Sequence, residues 1–315
     1  MRHDSVLRFK LRSAAKLAFG DFLLLLIMAN SLATSASAQR LDSRDAPSSA
    51  IKAVKLDDDD VTESSGLALS NRQPMRFWTH NDSGGKSIIY AFDSTGEPTG
   101  KCRLRSVGSK DWEDMCAFLD DGVPRLLVAD CGDNQARRQS ISLYLLDEPD
   151  PGKDTETRNV QQISVRYPDG PRDCEAVAVD AQNRQVVLIA KSRFFSAGIY
   201  VVPLPRRRGE PTRPIAVTAQ RVGTLPMPMI TAMDVDPVSG DIWVVNYFQA
   251  YCFSCIDRNE SIRQRLSRNP KAHELPHWKQ IEAVAVQHAS AVWVTTEGSP
   301  PRLGRIRIPA ETTNK

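Results

Sequence analysis

Several positions along this chain carry side chains able to hold a cation or move a proton. Ser65, Glu113, Glu175, Thr231 and Glu282 each open a short apolar run, and Glu63 stands two residues before the first of them. About fifteen residues later a second apolar run ends on another polar group. These ends are Asn81 with Asp82, Asp130 with Asp133 and Asn134, Lys191, Asn246, and Thr296 with Glu297. Carboxylates gathered in one place repel one another. They must share protons, pair with a cation such as Lys191, or coordinate a metal ion. Oxygen ligands of this kind suit Ca2+, Mg2+ or Mn2+. The candidate metal ligands are Glu63, Asp82, Glu113, Asp130, Glu175, Asn246 and Glu282. A bound cation would polarise a small ester, lactone or phosphate and activate water. Glu113 or Glu175 would then act as base, and Lys191 would hold an anionic group. The competing reading is structural: the same polar groups tie neighbouring strands through backbone hydrogen bonds.

Distant residues meet only if the elements carrying them converge. The first runs read Ser65-Gly-Leu-Ala-Leu, Glu113-Asp-Met-Cys-Ala, Glu175-Ala-Val-Ala-Val, Thr231-Ala-Met-Asp-Val and Glu282-Ala-Val-Ala-Val. The second runs begin at Trp78, Leu127, Leu188, Trp243 and Trp293. Units recur about every 50 to 60 residues, and short-stranded repeats of that period define an all-β chain folded as a single β-propeller. Third strands are expected at 88–92, 141–146, 198–202 and 303–308, and fourth strands at 102–107, 162–166 and 221–225. The last repeat lacks a fourth strand, and residues 51–56 lack a partner. An N-terminal strand completing the last blade closes the ring and protects the sheet edges. This reading counts five blades. A sixth, degenerate blade within 247–280 is the alternative.

Residues 1–38 read as a signal peptide: a basic start, an apolar stretch at 22–29, and Ala36-Ser37-Ala38 before Gln39. The protein is therefore expected to be exported, to the periplasm or the medium, with no stable membrane span after cleavage. Residues 39–50 form a flexible polar tail, and the propeller occupies 51–315. The whole chain carries a formal charge of +3, but removing the leader leaves 36 basic and 36 acidic residues. A neutral mature chain gives nucleic-acid binding no electrostatic support, and a monomer is expected. All six cysteines lie in the exported part, where disulfides form. Cys131 follows a strand of the second repeat and Cys174 precedes one of the third, so a Cys131–Cys174 bond is expected. Cys116, inside an inner strand, reads as a small buried hydrophobe.

Residues 247–280 break the repeat and read as a long insertion on one face, with a short helix near 260–267. Cys252, Cys255, His273 and His277 have the ligand types of a zinc site. Their central spacing of 17 exceeds the usual range, and a disulfide is the simpler fate in an exported chain. His273-Glu-Leu-Pro-His277 matches the H-E-x-x-H string, but Pro276 opposes the helix that string needs. No G-x-S-x-G elbow, P-loop or G-x-G-x-x-G is present. Trp78, Trp243 and Trp293 recur at one repeat position and read as core, whereas Trp112, beside Glu113, is a candidate lining for the channel mouth.

The strings Glu63-Ser-Ser-Gly-Leu-Ala, Trp78-Thr-His-Asn-Asp-Ser-Gly84, Asp111-Trp-Glu-Asp114, Ala129-Asp-Cys-Gly-Asp-Asn134 and Asp173-Cys-Glu-Ala176 resemble a family of exported bacterial β-propeller proteins of uncharacterised function. More distantly the chain is similar to gluconolactonase/regucalcin and TolB-type propellers. The regucalcin likeness implies one divalent cation in the channel, with Glu63 matching the first ligand and Asn246 a later one. The other ligand motifs of that group do not occur here. The expected function is a binding or scaffold protein with a small-molecule or protein partner; a metal-dependent hydrolase is the alternative.

Overall fold

The computed structural model describes residues 53–192, 196–207, 213–288, 291–306 and 308. The expected signal peptide and polar tail lie outside the described residues, as do Ile51 and Lys52.

The chain enters on β1 (Val54–Lys55) and then builds five sheets in sequence order, each around an antiparallel core. Blade 1 holds β2 (Ser64–Leu69), β3 (Arg76–Asn81), β4 (Ile88–Asp93) and β5 (Pro98–Leu104). Blade 2 holds β6 (Trp112–Asp120), β7 (Val123–Asp130), β8 (Ile141–Asp147) and β10 (Gln161–Arg166), with β9 (Asp154–Thr157) leaving it between the last two. Blade 3 holds β11 (Cys174–Asp180), β12 (Gln185–Ala190), β13 (Ala197–Pro203) and β15 (Gln220–Leu225), with β14 (Ile215–Thr218) leaving it in the same way. Blade 4 holds β16 (Ile230–Val235), β17 (Ile242–Asn246), β18 (Gln249–Phe253) and β19 (Lys271–Glu274). Blade 5 holds β20 (Ile281–His288), β21 (Ala291–Thr296) and β22 (Arg302–Arg305), and β1 pairs with β22 to complete it. The protein is a five-bladed β-propeller closed by its N-terminal strand.

The inner strands β2, β6, β11, β16 and β20 pack side by side in a ring, with β20 next to β2. Space near the axis is short, and the sequence answers with small residues. Gly66, Ala68, Ala176, Ala178, Ala232, Ala283 and Ala285 lie on these strands. Larger side chains fill the widening gaps outside them. Five apolar clusters result, one between each pair of neighbouring blades. Trp78, Trp243 and Trp293 are core residues in three of these clusters. Trp112 is core as well, not channel lining. It is fully buried, edge-on to His80, and its indole N–H donates to the Gly108 carbonyl at 3.0 Å.

The segment read as an insertion is something else. Residues 249–253 and 271–274 are the two outer strands of blade 4, so no sixth blade exists among the described residues. Only the connection between them is unusual. It carries helix α1 (Ile262–Leu266), capped by Ser261 and Gln264. Buried Arg265 anchors this helix, reaching Asp180 of blade 3 at 2.8 Å and the Gly240 carbonyl at 2.9 Å.

Two strands are shared between blades. β9 runs parallel to β5 at the rim of blade 1, and β14 runs parallel to β10 at the rim of blade 2. Each covers an edge that would otherwise expose unpaired backbone groups. Gly100 permits the first. A Cβ there would sit 2.5 Å from the Lys153 carbonyl oxygen and 2.6 Å from its nitrogen. Gly100→Val should therefore displace the β9 approach and cost roughly 2 kcal/mol, read as a lower urea midpoint with blade 1 amides losing exchange protection.

Candidate functional site

Each inner strand carries a β-bulge at the end where it enters the sheet. The register skips one residue between Ser64 and Gly66, Trp112 and Asp114, Cys174 and Ala176, Ile230 and Ala232, and Ile281 and Ala283. The skipped residues are Ser65, Glu113, Glu175, Thr231 and Glu282, the polar positions of the sequence repeat. A bulge leaves its extra residue out of the ladder and re-aims its side chain. All five are buried at the channel mouth.

The bulge residues divide by type. The two hydroxyls stitch blades together: Ser65 Oγ donates to the Glu113 carbonyl at 3.1 Å, and Thr231 Oγ1 to the Ile281 carbonyl at 3.1 Å. The glutamates collect acid. Oxygens of Asp82, Asp111 and Glu113 lie within 4.8 Å of one another, and so do oxygens of Glu113, Asp173 and Glu175. Two oxygens bound to one Ca2+ are separated by no more than about 5 Å, so either group has the span of a cation site. Gly132 makes room for the carboxylates, since a Cβ there would lie 2.2 Å from Glu113 Oε1 and 2.6 Å from Asp111 Oδ2.

The electrostatics follow from this crowding. Burial pushes the Glu113 carboxyl well above the usual range, and Glu175, Asp82, Asp111 and Asp173 add to the rise. Glu113 has no hydrogen bond or cation on its carboxylate among the described residues. Burial also raises Glu175, to about 8, against the opposing pull of Lys191. The Lys191 ammonium lies 3.0 Å from Glu175 and 5.6 Å from the centre of the Tyr247 ring. Burial works against its charge, yet Glu175, Tyr247 and Glu282 hold it protonated. Glu282 accepts from the Tyr247 hydroxyl at 3.1 Å and is raised by burial and by Glu297.

The remaining candidates are placed differently. Glu63 is exposed and pairs through its backbone with Glu297. It stands two residues before the bulge, as Asp111 and Asp173 do, but it is not part of either acid group. Asp130 is buried against Arg138 at 2.8 Å and accepts from the Asp111 amide. Asn246 accepts from the Phe248 and Gln249 amides and donates to the Pro228 carbonyl, which shapes a loop. Cys252, Cys255, His273 and His277 form no metal-holding group among the described residues. His273 stacks on Trp243 at 5.0 Å in an extended strand, and no helix follows through Pro276. All six cysteines are free thiols, so the expected Cys131–Cys174 disulfide is not formed. The two residues do meet across blades, with Cys131 Sγ donating to the Cys174 carbonyl at 3.1 Å.

Sequence reasoning passed over Asp111 and Asp173 as ligands, although a signal was present. Asp-x-Glu recurs at 111–113 and 173–175, and in an extended segment a spacing of two places both carboxylates on one side. It also passed over two buried carboxylates within the channel. Asp114 accepts from the amides of Met115 and Val177 at 2.8 Å and of Met233 at 3.3 Å. Asp234 accepts from Val235 and Val286, each at 2.8 Å. Burial raises both, Asp234 to about 7.

No protein-family model matches this chain, and no curated protein matches it in sequence. The likeness to gluconolactonase/regucalcin and TolB-type propellers thus has no support beyond the motifs that suggested it. Among solved structures, the chain is similar to the PQQ-bound form of an aldose sugar dehydrogenase from Streptomyces coelicolor. Identity is 9%, over 82% of this chain and 98% of that one, with a TM-score of 0.42. It is also similar to hydrazine synthase of Kuenenia stuttgartiensis, at 9% identity over 79% and 84% of the two chains and a TM-score of 0.42.

Two outcomes follow for stability. Asp114→Ala strands three buried amides and should cost about 3 kcal/mol or more by urea unfolding. In the parent, raised carboxyls keep protons that the unfolded chain releases near pH 4, so stability falls as pH rises towards about 7 for Asp234 and about 8 for Glu175. His80, held by burial at about 4 against an ordinary 6.5, contributes with the opposite sign between those values. The decline should therefore be steepest above pH 6.5 in metal-free protein, and Glu175→Gln should flatten it.

Proposed function

We propose that this chain is an exported binding protein whose propeller holds a divalent cation, Ca2+, Mg2+ or Mn2+, at the channel mouth. The ligands are Glu113, Asp173 and Glu175, with Asp82 and Asp111 forming a second group that shares Glu113. One observation carries this reading. Glu113 is nine-tenths buried, belongs to both acid groups, and has no cation or donor on its carboxylate among the described residues. A charge taken out of water needs a partner or a proton, and a cation supplies that partner for several carboxylates at once. The leader read at 1–38 puts the site in the periplasm or outside the cell, where millimolar-range Ca2+ sites operate. The sequence supports these boundaries: a leader to 38, a polar tail to 50 and the propeller beyond it.

The alternative is a metal-dependent hydrolase of a small ester, lactone or phosphate. Its support is the raised proton affinity of Glu113 and Glu175, which suits an acid or base. Lys191 weighs against it. Expected to hold an anionic substrate group, this ammonium is committed to Glu175 and the Tyr247 ring.

Metal analysis of the purified protein separates the possibilities. The parent should retain about one divalent cation per chain, and Glu113→Gln should lose it, with Glu175→Gln weakened. Unchanged metal in both variants, or none in a parent dialysed against Ca2+, Mg2+ and Mn2+ in turn, refutes the cation. Turnover of nitrophenyl esters or phosphates by the loaded parent, abolished in Glu113→Gln, would select the hydrolase.

A further inference from the structure

A groove of about 220 Å3 opens beside the channel mouth, between blades 4 and 5. None of its lining residues belongs to either acid group, although Tyr247 also meets Lys191 and Glu282. Tyr247, Phe248 and Trp278 supply three aromatic rings to its lining, Leu275 and Pro276 supply aliphatic surface, and Glu274 supplies a carboxylate. No lysine or arginine lines it. Phe248 is 56% exposed, whereas Phe77, Phe92, Phe118 and Phe253, the other phenylalanines among the described residues, are buried.

We infer that this groove binds a small organic ammonium cation. Aromatic faces attract cations through their quadrupole, and a nearby carboxylate adds direct charge attraction. The structure already uses one of these rings in this way, since the Lys191 ammonium lies over Tyr247 at 5.6 Å. Tyr247 also donates its hydroxyl to the buried Glu282 at 3.1 Å, which enriches its ring in electron density. A neutral ligand would gain from the apolar surface but not from the carboxylate. An anion would face the Glu274 carboxylate with no lysine or arginine in the lining, where His277 is the one basic side chain. The volume suits a headgroup-sized onium compound such as choline, and a flexible peptide would not fit inside it.

The test is calorimetric titration of the full chain, stripped of metal with EDTA, with choline and with its neutral isostere 3,3-dimethylbutan-1-ol. Metal removal makes the outcome independent of the cation proposed at Glu113. Choline should bind at one site, and the isostere at least about tenfold more weakly. Phe248→Leu keeps bulk and removes the ring, and Trp278→Ala removes a second ring. Each should weaken choline severalfold while the far-ultraviolet circular dichroism stays that of the parent. Glu274→Gln should weaken choline but not the isostere. Equal binding of both compounds, no heat from choline at its highest soluble concentration, or unchanged affinity in both ring variants would overturn the inference.

Discussion

A propeller turns the free edge of every inner strand toward a narrow channel, and those edges carry backbone amides with no partner strand. Buried donors without acceptors are costly, so something in the channel must accept them. Here that task falls to two carboxylates. Asp114 accepts from Met115, Val177 and Met233, which stand two residues past the bulge in blades 2, 3 and 4. Asp234 accepts from Val235 and Val286, four residues past the bulge in blades 4 and 5. Ser64 links blade 1 to Thr295 of blade 5 at 3.0 Å. The ring is held at its centre by polar groups and between its blades by apolar clusters.

The bulge follows from the same geometry. Strands crowded around an axis bend and twist sharply where they enter, and an extra residue absorbs that bend. Whatever residue occupies it faces the mouth. With Ser65 or Thr231 there, a hydroxyl reaches the neighbouring strand and adds a tie. With Glu113, Glu175 or Glu282 there, a longer acidic side chain meets others from adjacent blades. The two readings offered by the sequence, a structural ring and an acid site, are both present at different blades. Stability and site chemistry are therefore linked, because the carboxylates that crowd the mouth are raised by the burial that packs the ring.

Much of the architecture was legible in the chain itself. The repeat of polar residue and apolar run marked every inner strand, and the unpaired segment at 51–56 marked the closing strand. Residues 247–280 misled because a helix and polar connection separate β18 from β19, so their alternation was too brief to stand out. The strands β9 and β14 were illegible for another reason. Each is four residues long and belongs to a blade other than the one its neighbours in sequence build. Asp114 and Asp234 read as interruptions of apolar strands, since nothing local shows that distant amides need them.

The sequence alone determined that modules repeat, their order and the polar type at each bulge, because these depend on short-range alternation and composition, while the choice between five and six blades needed the strand pairing. Only the tertiary structure decided which acids share a space. Glu63 and Asp111 hold equivalent repeat positions, yet one faces solvent and the other joins Glu113. That difference arises from how neighbouring blades approach, and it involves residues far apart along the chain that no local pattern relates.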